Sequence, residues 1–321
     1  MSRIVGKVMM LILMVIGFIF GKVTFAQSKT FTIGISQFAE HPALDDVRRG
    51  FEDELKSQGV KANIIYKNAQ GDTATSGLIA QKFAADKVDL IFAIATISAQ
   101  NAKQATKEIP ILFSAVTDPV HSQLVNSLNS VGGNVTGTSD RTPIDNQLAL
   151  FKELDPSIKK IGIVYNTSES NSEIQIKEAM AEAEKYGLKI VPVGVSNIND
   201  IPQAITSLMR KTDAFYATTD NIVASSIGLI AKHINKNKMI SVGAEKAHVK
   251  GGFLMTNGLS YYELGKQTAD MAKKILVDGV SPSDIPVETA KTTTKVVNER
   301  TMRILNLARD NKAFEGAKFI D

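Results

Sequence analysis

Short apolar runs rich in β-branched residues alternate along the chain with longer amphipathic stretches. In the first half these runs occupy residues 31–36, 63–67, 90–95 and 111–115. The run at 90–95 is apolar throughout, which indicates a strand buried on both faces of a sheet. Between the runs, as at residues 44–55, apolar side chains recur at helical spacing. The alternation predicts an α/β fold with a doubly wound, parallel sheet covered by helices.

The second half repeats this pattern. Apolar runs at residues 160–166, 189–195, 214–217 and 239–244 alternate with predicted helices, and the turn at 140–143 separates the two halves. A further run at 253–258 and a helix at 261–277 come too late to complete the second sheet simply, so we expect them to return to the first. We therefore predict two lobes joined by a hinge of several strands. They comprise residues 28–140 with about 256–285, and residues 141–255 with about 286–321.

The first 26 residues resemble a secretory signal peptide. Arg3 and Lys7 precede an apolar run at 8–20, and Thr24 and Ala26 occupy the −3 and −1 positions of a cleavage site before Gln27. An uncleaved anchor is the alternative, but the run is shorter than the ~20 residues that span a bilayer. We predict cleavage near Ala26 and a periplasmic or secreted protein. The sequence has no cysteine, so we expect neither a disulfide nor a lipid anchor.

Charge and motifs exclude several function classes. The 37 basic and 33 acidic residues leave a formal charge of only +4, which does not favour nucleic-acid binding. The sequence contains no P-loop, no nucleophile elbow, no dinucleotide-binding glycine motif and no closely spaced histidine pair. We therefore predict a protein that is not an enzyme and holds no cofactor or metal. The four histidines, among them His41 and His248, are predicted to be surface or packing residues.

Candidate ligand-binding residues follow the predicted strands of the first lobe. Ligands of doubly wound sheets bind beyond the carboxyl ends of the strands, where helices begin and their free N–H groups point outward. The candidates are Phe38, Glu40, Thr96, Ser98, Ala99, Gln100, Thr117 and Asp118. We predict that Thr96, Ser98 and nearby amides hold a carboxylate, although Ser98 and Asp118 are equally suited to begin a helix.

The second lobe offers a more polar set of strand ends. The candidates are Asn166, Ser168, Glu169, Ser170, Asn171, Asp220, Asn221 and Glu245. Asp220 is predicted to neutralise an ammonium group, with Glu245 as the second choice, and the alternative for Asp220 is a helix cap. Carboxylate binding in one lobe and ammonium binding in the other predict a zwitterion, of which an amino acid is the simplest.

Several segments together resemble the ABC transporter substrate-binding proteins that include tryptophan and tyrosine uptake receptors. They lie at residues 40–45, 96–100, 117–119, 165–172, 219–221 and 261–265. The resemblance implies a type I periplasmic binding protein fold with an aromatic or other hydrophobic amino acid between its lobes. It also implies delivery of the ligand to a membrane permease powered by a separate ATPase, and we expect the chain to be a monomer. Many such relatives carry a lipidated cysteine where this chain has Gln27.

Two other functions remain open at this point. A sensory module could pass the same ligand signal to a membrane receptor. A secreted enzyme could use Asp118 or Asp220 as a general base, and turnover of the bound ligand would reveal it.

Overall fold

Within residues 29–321, which this computed structural model describes, two β-sheets form the frame of two lobes. The predicted signal peptide lies outside the described residues. The first sheet has the order β11-β5-β4-β3-β1-β2 and consists of β1 (Phe31–Gln37), β2 (Ala62–Asn68), β3 (Leu90–Ile94), β4 (Ile111–Val116), β5 (Val135–Ser139) and β11 (Glu288–Thr289). Its strand pairs are parallel, as predicted.

The second sheet has the order β13-β12-β10-β9-β8-β6-β7. It consists of β6 (Lys160–Asn166), β7 (Lys189–Val195), β8 (Ala214–Ala217), β9 (Ile240–Gly243), β10 (Met255–Leu259), β12 (Thr293–Asn298) and β13 (Lys318–Ile320). Its pairs are parallel except that β12 runs antiparallel to β10. The predicted architecture of two parallel-sheet α/β lobes is confirmed.

Helices cover both faces of each sheet. They are α1 (Pro42–Ser57), α2 (Thr73–Ala85), α3 (Thr96–Ala105), α4 (Ile144–Leu154), α5 (Ser170–Ala183), α6 (Ile201–Met209), α7 (Asn221–Ser225), α8 (Ile227–Lys236), α9 (Lys246–Lys250), α10 (Tyr261–Leu276) and α11 (Glu299–Ile304). Short 3₁₀ helices lie at Glu184–Tyr186, Ile198–Asp200, Pro282–Asp284 and Lys312–Phe314. No helix among residues 29–321 combines the length and the apolar character needed to cross a membrane.

Alternate side chains of one strand enter two separate cores, which is why the central strands are apolar throughout. In β3, Phe92 belongs to the core that contains α1 and α10, where its ring stacks on Phe51 at 4.0 Å between centroids. Its neighbour Ile91 belongs to the core on the opposite face with Phe83 of α2. Burial on both faces explains the continuous apolar run at 90–95 that the sequence analysis identified.

The chain passes between the lobes three times within the described residues. The first crossing joins β5 to α4, the second joins β10 to α10, and the third joins β11 to β12. The predicted boundary near residue 256 is corrected by this topology, because β10 pairs with β9 in the second sheet and only α10 packs on the first lobe. The predicted boundary near 286 also moves, since β11 still pairs with β5.

Two glycines allow α1 and α10 to pack with their backbones in contact. A Cβ atom at Gly265 would lie 2.0 Å from the carbonyl oxygen of Val47, and one at Gly50 would lie 2.0 Å from that of Tyr262. A Cβ atom cannot approach a carbonyl oxygen so closely, so any larger residue separates the helices. This contact holds α10, and with it the second crossing, against the first lobe.

We expect Gly265→Ala to lower the free energy of unfolding by about 2 kcal/mol, because the new methyl group overpacks the α1–α10 contact. Gly228→Ala is the matched control, since Gly228 is also helical and has nothing within 4 Å of its Cβ position. The control should be neutral or stabilise by about 0.5–1 kcal/mol. Urea denaturation of both variants checks this, and equal stabilities would contradict the role assigned to the glycine pair.

Candidate ligand-binding site

A small cavity of about 20 Å³ lies where the two lobes meet. Both lobes and two of the crossings contribute side chains to it. The lining residues are His41, Leu44, Thr96, Ala115, Asp140, Asn171, Thr219, Asp220, Asn221, Ala224, Glu245 and Tyr261. Most of them follow strands or begin helices, as expected for a doubly wound sheet.

The two lobes contact each other directly at the cavity. His41 at the start of α1 lies with its Nε2 3.1 Å from Oδ1 of Asn221 at the start of α7. The hydroxyl groups of Thr117 and Thr219, one in each lobe, are 3.2 Å apart. Because both hydrogen bonds join one lobe to the other, the lobes are in a closed arrangement.

Four carboxyl groups are buried at or beside this cavity. Asp140, Glu169, Asp220 and Glu245 are each at most 3% exposed, and no lysine or arginine among residues 29–321 is buried. Burial raises the pKa of Glu245 to about 8. Burial and the nearby charge of Asp220 raise the pKa of Glu169 to about 7. Among residues 29–321 a negative charge at this cavity has no buried lysine or arginine as a partner, an arrangement that would favour a cationic ligand.

Asp220 is held in place by hydrogen bonds from its own lobe. Its Oδ1 accepts from the amide of Val223 at 3.0 Å, which caps α7. Its Oδ2 accepts from the amide of Asn166 and the hydroxyl of Ser172, both at 2.6 Å. Both oxygens are therefore already hydrogen-bonded. Asp220 adds negative potential to the cavity, and it offers a ligand less hydrogen-bonding capacity than the sequence suggested.

Glu169 is at the centre of a buried amide network in the second lobe. It accepts hydrogen bonds from the side-chain amides of Asn166 at 2.9 Å, Asn171 at 3.2 Å and Asn221 at 2.5 Å. Two of these donors, Asn171 and Asn221, also line the cavity. Glu169 thus fixes the orientation of both amides, although it does not line the cavity itself.

Asp140 brings a carboxylate into the cavity from the first crossing. Its Oδ2 accepts from the hydroxyl of Tyr261 at 2.6 Å, which links the first crossing to the second. Its Oδ1 has no hydrogen-bond partner among residues 29–321. Burial raises the pKa of Asp140, and the bond from Tyr261 opposes this only in part. Asp140 therefore has one carboxylate oxygen left to accept a hydrogen bond from a ligand.

The first lobe presents the beginning of α3 to the cavity through two unusual backbone positions. Ala95, just before the helix, has φ of 80°, and Ala115 at the end of β4 has φ of 57°. Both lie in the left-handed region, which costs free energy for a residue with a Cβ atom. Such strain concentrates at binding sites. Thr96, the first residue of α3, and Ala115 both line the cavity.

The structure brings part of the predicted site together. Five of the predicted residues line the cavity: Thr96, Asn171, Asp220, Asn221 and Glu245. Three more bond directly to lining residues: Thr117, Asn166 and Glu169.

The other predicted residues do not line the cavity. Phe38 and Ala99 belong to hydrophobic cores, Ser98 is buried within α3, and Glu40 and Ser168 are exposed. Gln100 donates to the carbonyl of Ser122, and Ser170 begins α5. Asp118 accepts from the amides of Val120 and His121 in a turn, where its Oδ1 serves local structure.

Sequence reasoning missed seven lining residues, among them His41, Asp140 and Tyr261. His41 was assigned to the surface or to packing, yet it is 6% exposed and lines the cavity. Asp140 stands in the turn that marked the first crossing, so a polar residue at a hinge was an available signal. Within the described part of the chain, no group of three or more acidic or histidine side chains is arranged to hold a metal ion.

Comparisons with known proteins agree with this geometry. A family model described as ABC transporter substrate binding protein matches residues 32–317. The chain belongs to this family. It is therefore a solute-binding protein of the ABC transporter type rather than a member of an enzyme family. A protein named tyrosine-binding protein from Clostridioides difficile is 44% identical over 297 residues, which cover 89% of this chain and 86% of that protein.

Solved structures of similar proteins show the same two-lobed, type I periplasmic binding protein fold. A Streptococcus pneumoniae ABC domain in complex with L-Trp is 33% identical, with a TM-score of 0.87 over 91% of this chain and 100% of the other. A ligand-free, open substrate binding protein from Clostridium difficile is 44% identical, with a TM-score of 0.70 over 91% and 99%. The lower score with the open structure, despite higher identity, agrees with the closed lobes seen here.

The buried acids predict that stability falls as pH rises. The pKa of Glu245 is about 8 when folded against 4.5 for the unconstrained group, so the folded chain holds an extra proton between these values. Stability should therefore decline between about pH 5 and 8, by up to roughly 4 kcal/mol. Glu245→Gln should flatten this decline, as measured by urea denaturation across that range.

The exposed acid Glu108 provides the control for this experiment. Glu108→Gln removes a carboxyl group from a loop outside the cavity and should leave the pH dependence as in the parent protein. A decline in Glu245→Gln as steep as that of the parent would contradict the assignment.

Proposed function

We propose that this chain is the solute receptor of an ABC importer and binds an aromatic or other hydrophobic amino acid between its lobes. The observation that carries the proposal is the interlobe cavity with buried carboxyl groups and no buried lysine or arginine among the described residues. The receptor acts outside the cytoplasm as a monomer, after signal cleavage near Ala26 and without a lipid anchor. It delivers the amino acid unchanged to a membrane permease driven by a separate ATPase.

The ammonium group of the ligand lies at the acidic end of the cavity in this proposal. Asp140 is its main partner because Oδ1 is free to accept, and Glu245 lies in the same lining. A bound ammonium stabilises the ionised form of both acids and offsets the cost of burying them. This replaces Asp220, the first choice from sequence, with an acid from the hinge.

The carboxylate lies at the beginning of α3. The first amides of a ten-residue helix have no partner within the helix and carry a partial positive charge. Thr96 lines the cavity at this point. The cavity thus offers donors at one place and acids at another, which is the arrangement that a zwitterion requires.

The choice of an aromatic or hydrophobic side chain rests on the relatives and on the apolar part of the lining. One relative is named for tyrosine and another was solved with L-Trp. Leu44, Ala115, Ala224 and the ring of Tyr261 provide apolar surface in the same cavity. This surface suits a hydrophobic side chain better than a charged one.

Ligand contacts from both lobes stabilise the closed form in preference to an open one. Only this difference in affinity can shift the equilibrium between the two forms. The lobes already bond through His41 with Asn221 and through Thr117 with Thr219, and ligand contacts add to these interlobe hydrogen bonds. The closed form is then the one that the permease binds.

Isothermal titration of the mature protein with L-tyrosine, L-tryptophan and L-phenylalanine tests this function. At least one should bind, and Asp140→Asn should weaken it by about 10- to 100-fold, since a charged hydrogen bond is worth about 1.5–3 kcal/mol. Asp86→Asn, an exposed acid that ends α2, is the control and should bind as the parent does. Absence of binding to any amino acid would refute the proposal.

A further inference from the structure

Three hydrogen-bond acceptors in the cavity lining have no partner among residues 29–321. They are Nδ1 of His41, Oδ1 of Asp140 and Oδ1 of Asn171. Their residues are 6%, 3% and 3% exposed, so bulk solvent does not satisfy them. They come from the first lobe, the first crossing and the second lobe. An unsatisfied buried acceptor costs free energy, so three around one cavity point to a ligand rich in donors.

The hydrogen-bond network determines that His41 Nδ1 is an acceptor. Asn221 donates through Nδ2 to Glu169, so its Oδ1 faces His41 as an acceptor. His41 Nε2 must therefore carry the proton. Burial lowers the pKa of His41 and keeps the ring neutral, which leaves a lone pair on Nδ1.

The same reasoning fixes the other two acceptors. Asn171 donates through Nδ2 to Glu169 at 3.2 Å and to the carbonyl of Thr219 at 3.3 Å, so its Oδ1 is the atom without a partner. Tyr261 donates its hydroxyl to Oδ2 of Asp140, which leaves Oδ1.

We propose that His41, Asp140 and Asn171 form an acceptor set for a primary ammonium group, so that the receptor selects ligands with an unsubstituted amine. This inference rests on the proposed function and adds to it which amines are accepted. A primary ammonium carries three N–H donors and no acceptor, which matches three acceptors and one negative charge. An N-methyl group removes one donor and adds bulk, and an N-acetyl group removes the charge and two donors.

The set also joins the two lobes. His41 belongs to the first lobe, Asn171 to the second, and Asp140 to a segment that connects them. An ammonium that bonds to all three holds the lobes together at the hinge side of the cavity. His41 and Asn171 are therefore specificity-determining residues that add to the charge of Asp140.

Titration calorimetry on the mature chain tests the inference. L-tyrosine, L-tryptophan and L-phenylalanine are each compared with their N-methyl and N-acetyl derivatives. For whichever amino acid binds, we expect the N-methyl form to bind at least tenfold more weakly and the N-acetyl form more than a hundredfold more weakly. Equal affinity of the parent and N-methyl forms overturns the inference and leaves the proposed function standing. Binding of none of the three amino acids overturns both.

Two variants separate ammonium recognition from lobe contact. His41→Phe and Asn171→Leu each remove one acceptor, so the preference for the primary amine over its N-methyl form should shrink toward one. Thr117→Val is the matched control, because it removes an interlobe hydrogen bond and none of the three acceptors. It should weaken both ligands equally and leave the preference unchanged. A preference in both acceptor variants as large as in the parent overturns the assignment.

Discussion

Four carboxyl groups are buried where the two lobes meet, and within residues 29–321 no buried lysine or arginine balances them. This arrangement is costly for a folded protein, since each ionised carboxylate has lost its water. Amide and hydroxyl donors reduce the cost for Asp220 and Glu169. They leave part of it at Asp140 and Glu245, which line the cavity. A cationic ligand would remove the remaining cost, and this is the physical basis of the proposed preference for an amine.

The buried carboxyl groups without a buried cationic partner lie where the chain crosses between the lobes. The first two crossings contribute Asp140 and Tyr261, and their hydrogen bond ties one crossing to the other. The second crossing is anchored to the first lobe by the backbone contact of α10 with α1 at Gly265 and Gly50. His41 stands at the start of that same α1. Ligand binding and lobe closure therefore share residues, which is how one binding event can change the shape of the whole receptor.

Much of the fold could be predicted from sequence because it depends on local patterns. Helix α10, at Tyr261–Leu276, matches the helix predicted at residues 261–277, and α1, at Pro42–Ser57, contains the helically spaced apolar positions at 44–55. Which sheet a strand joins is harder to predict from sequence, since it depends on pairing between distant strands. β10 was assigned to the first lobe for this reason, and its pairing with β9 and β12 places it in the second.

The same distinction between local patterns and long-range contacts applies to the residues of the candidate site. Thr96, Asp220 and Glu245 follow strands, so the rule that ligands bind at strand ends found them. Asp140 and Tyr261 belong to the crossings, and their proximity arises only when two segments separated by 121 positions meet. Asp220 illustrates a second limit: its identity was visible in the sequence, but the three donors that occupy its oxygens were not.

A crystal structure of the mature protein with a bound aromatic amino acid tests the central claim most directly. The account predicts the ligand in the interlobe cavity, with its ammonium nitrogen within about 2.7–2.9 Å of Asp140 Oδ1 and its carboxylate at the beginning of α3. A ligand bound in the reverse orientation, with its carboxylate at the acidic end, or bound outside the cavity, would contradict it.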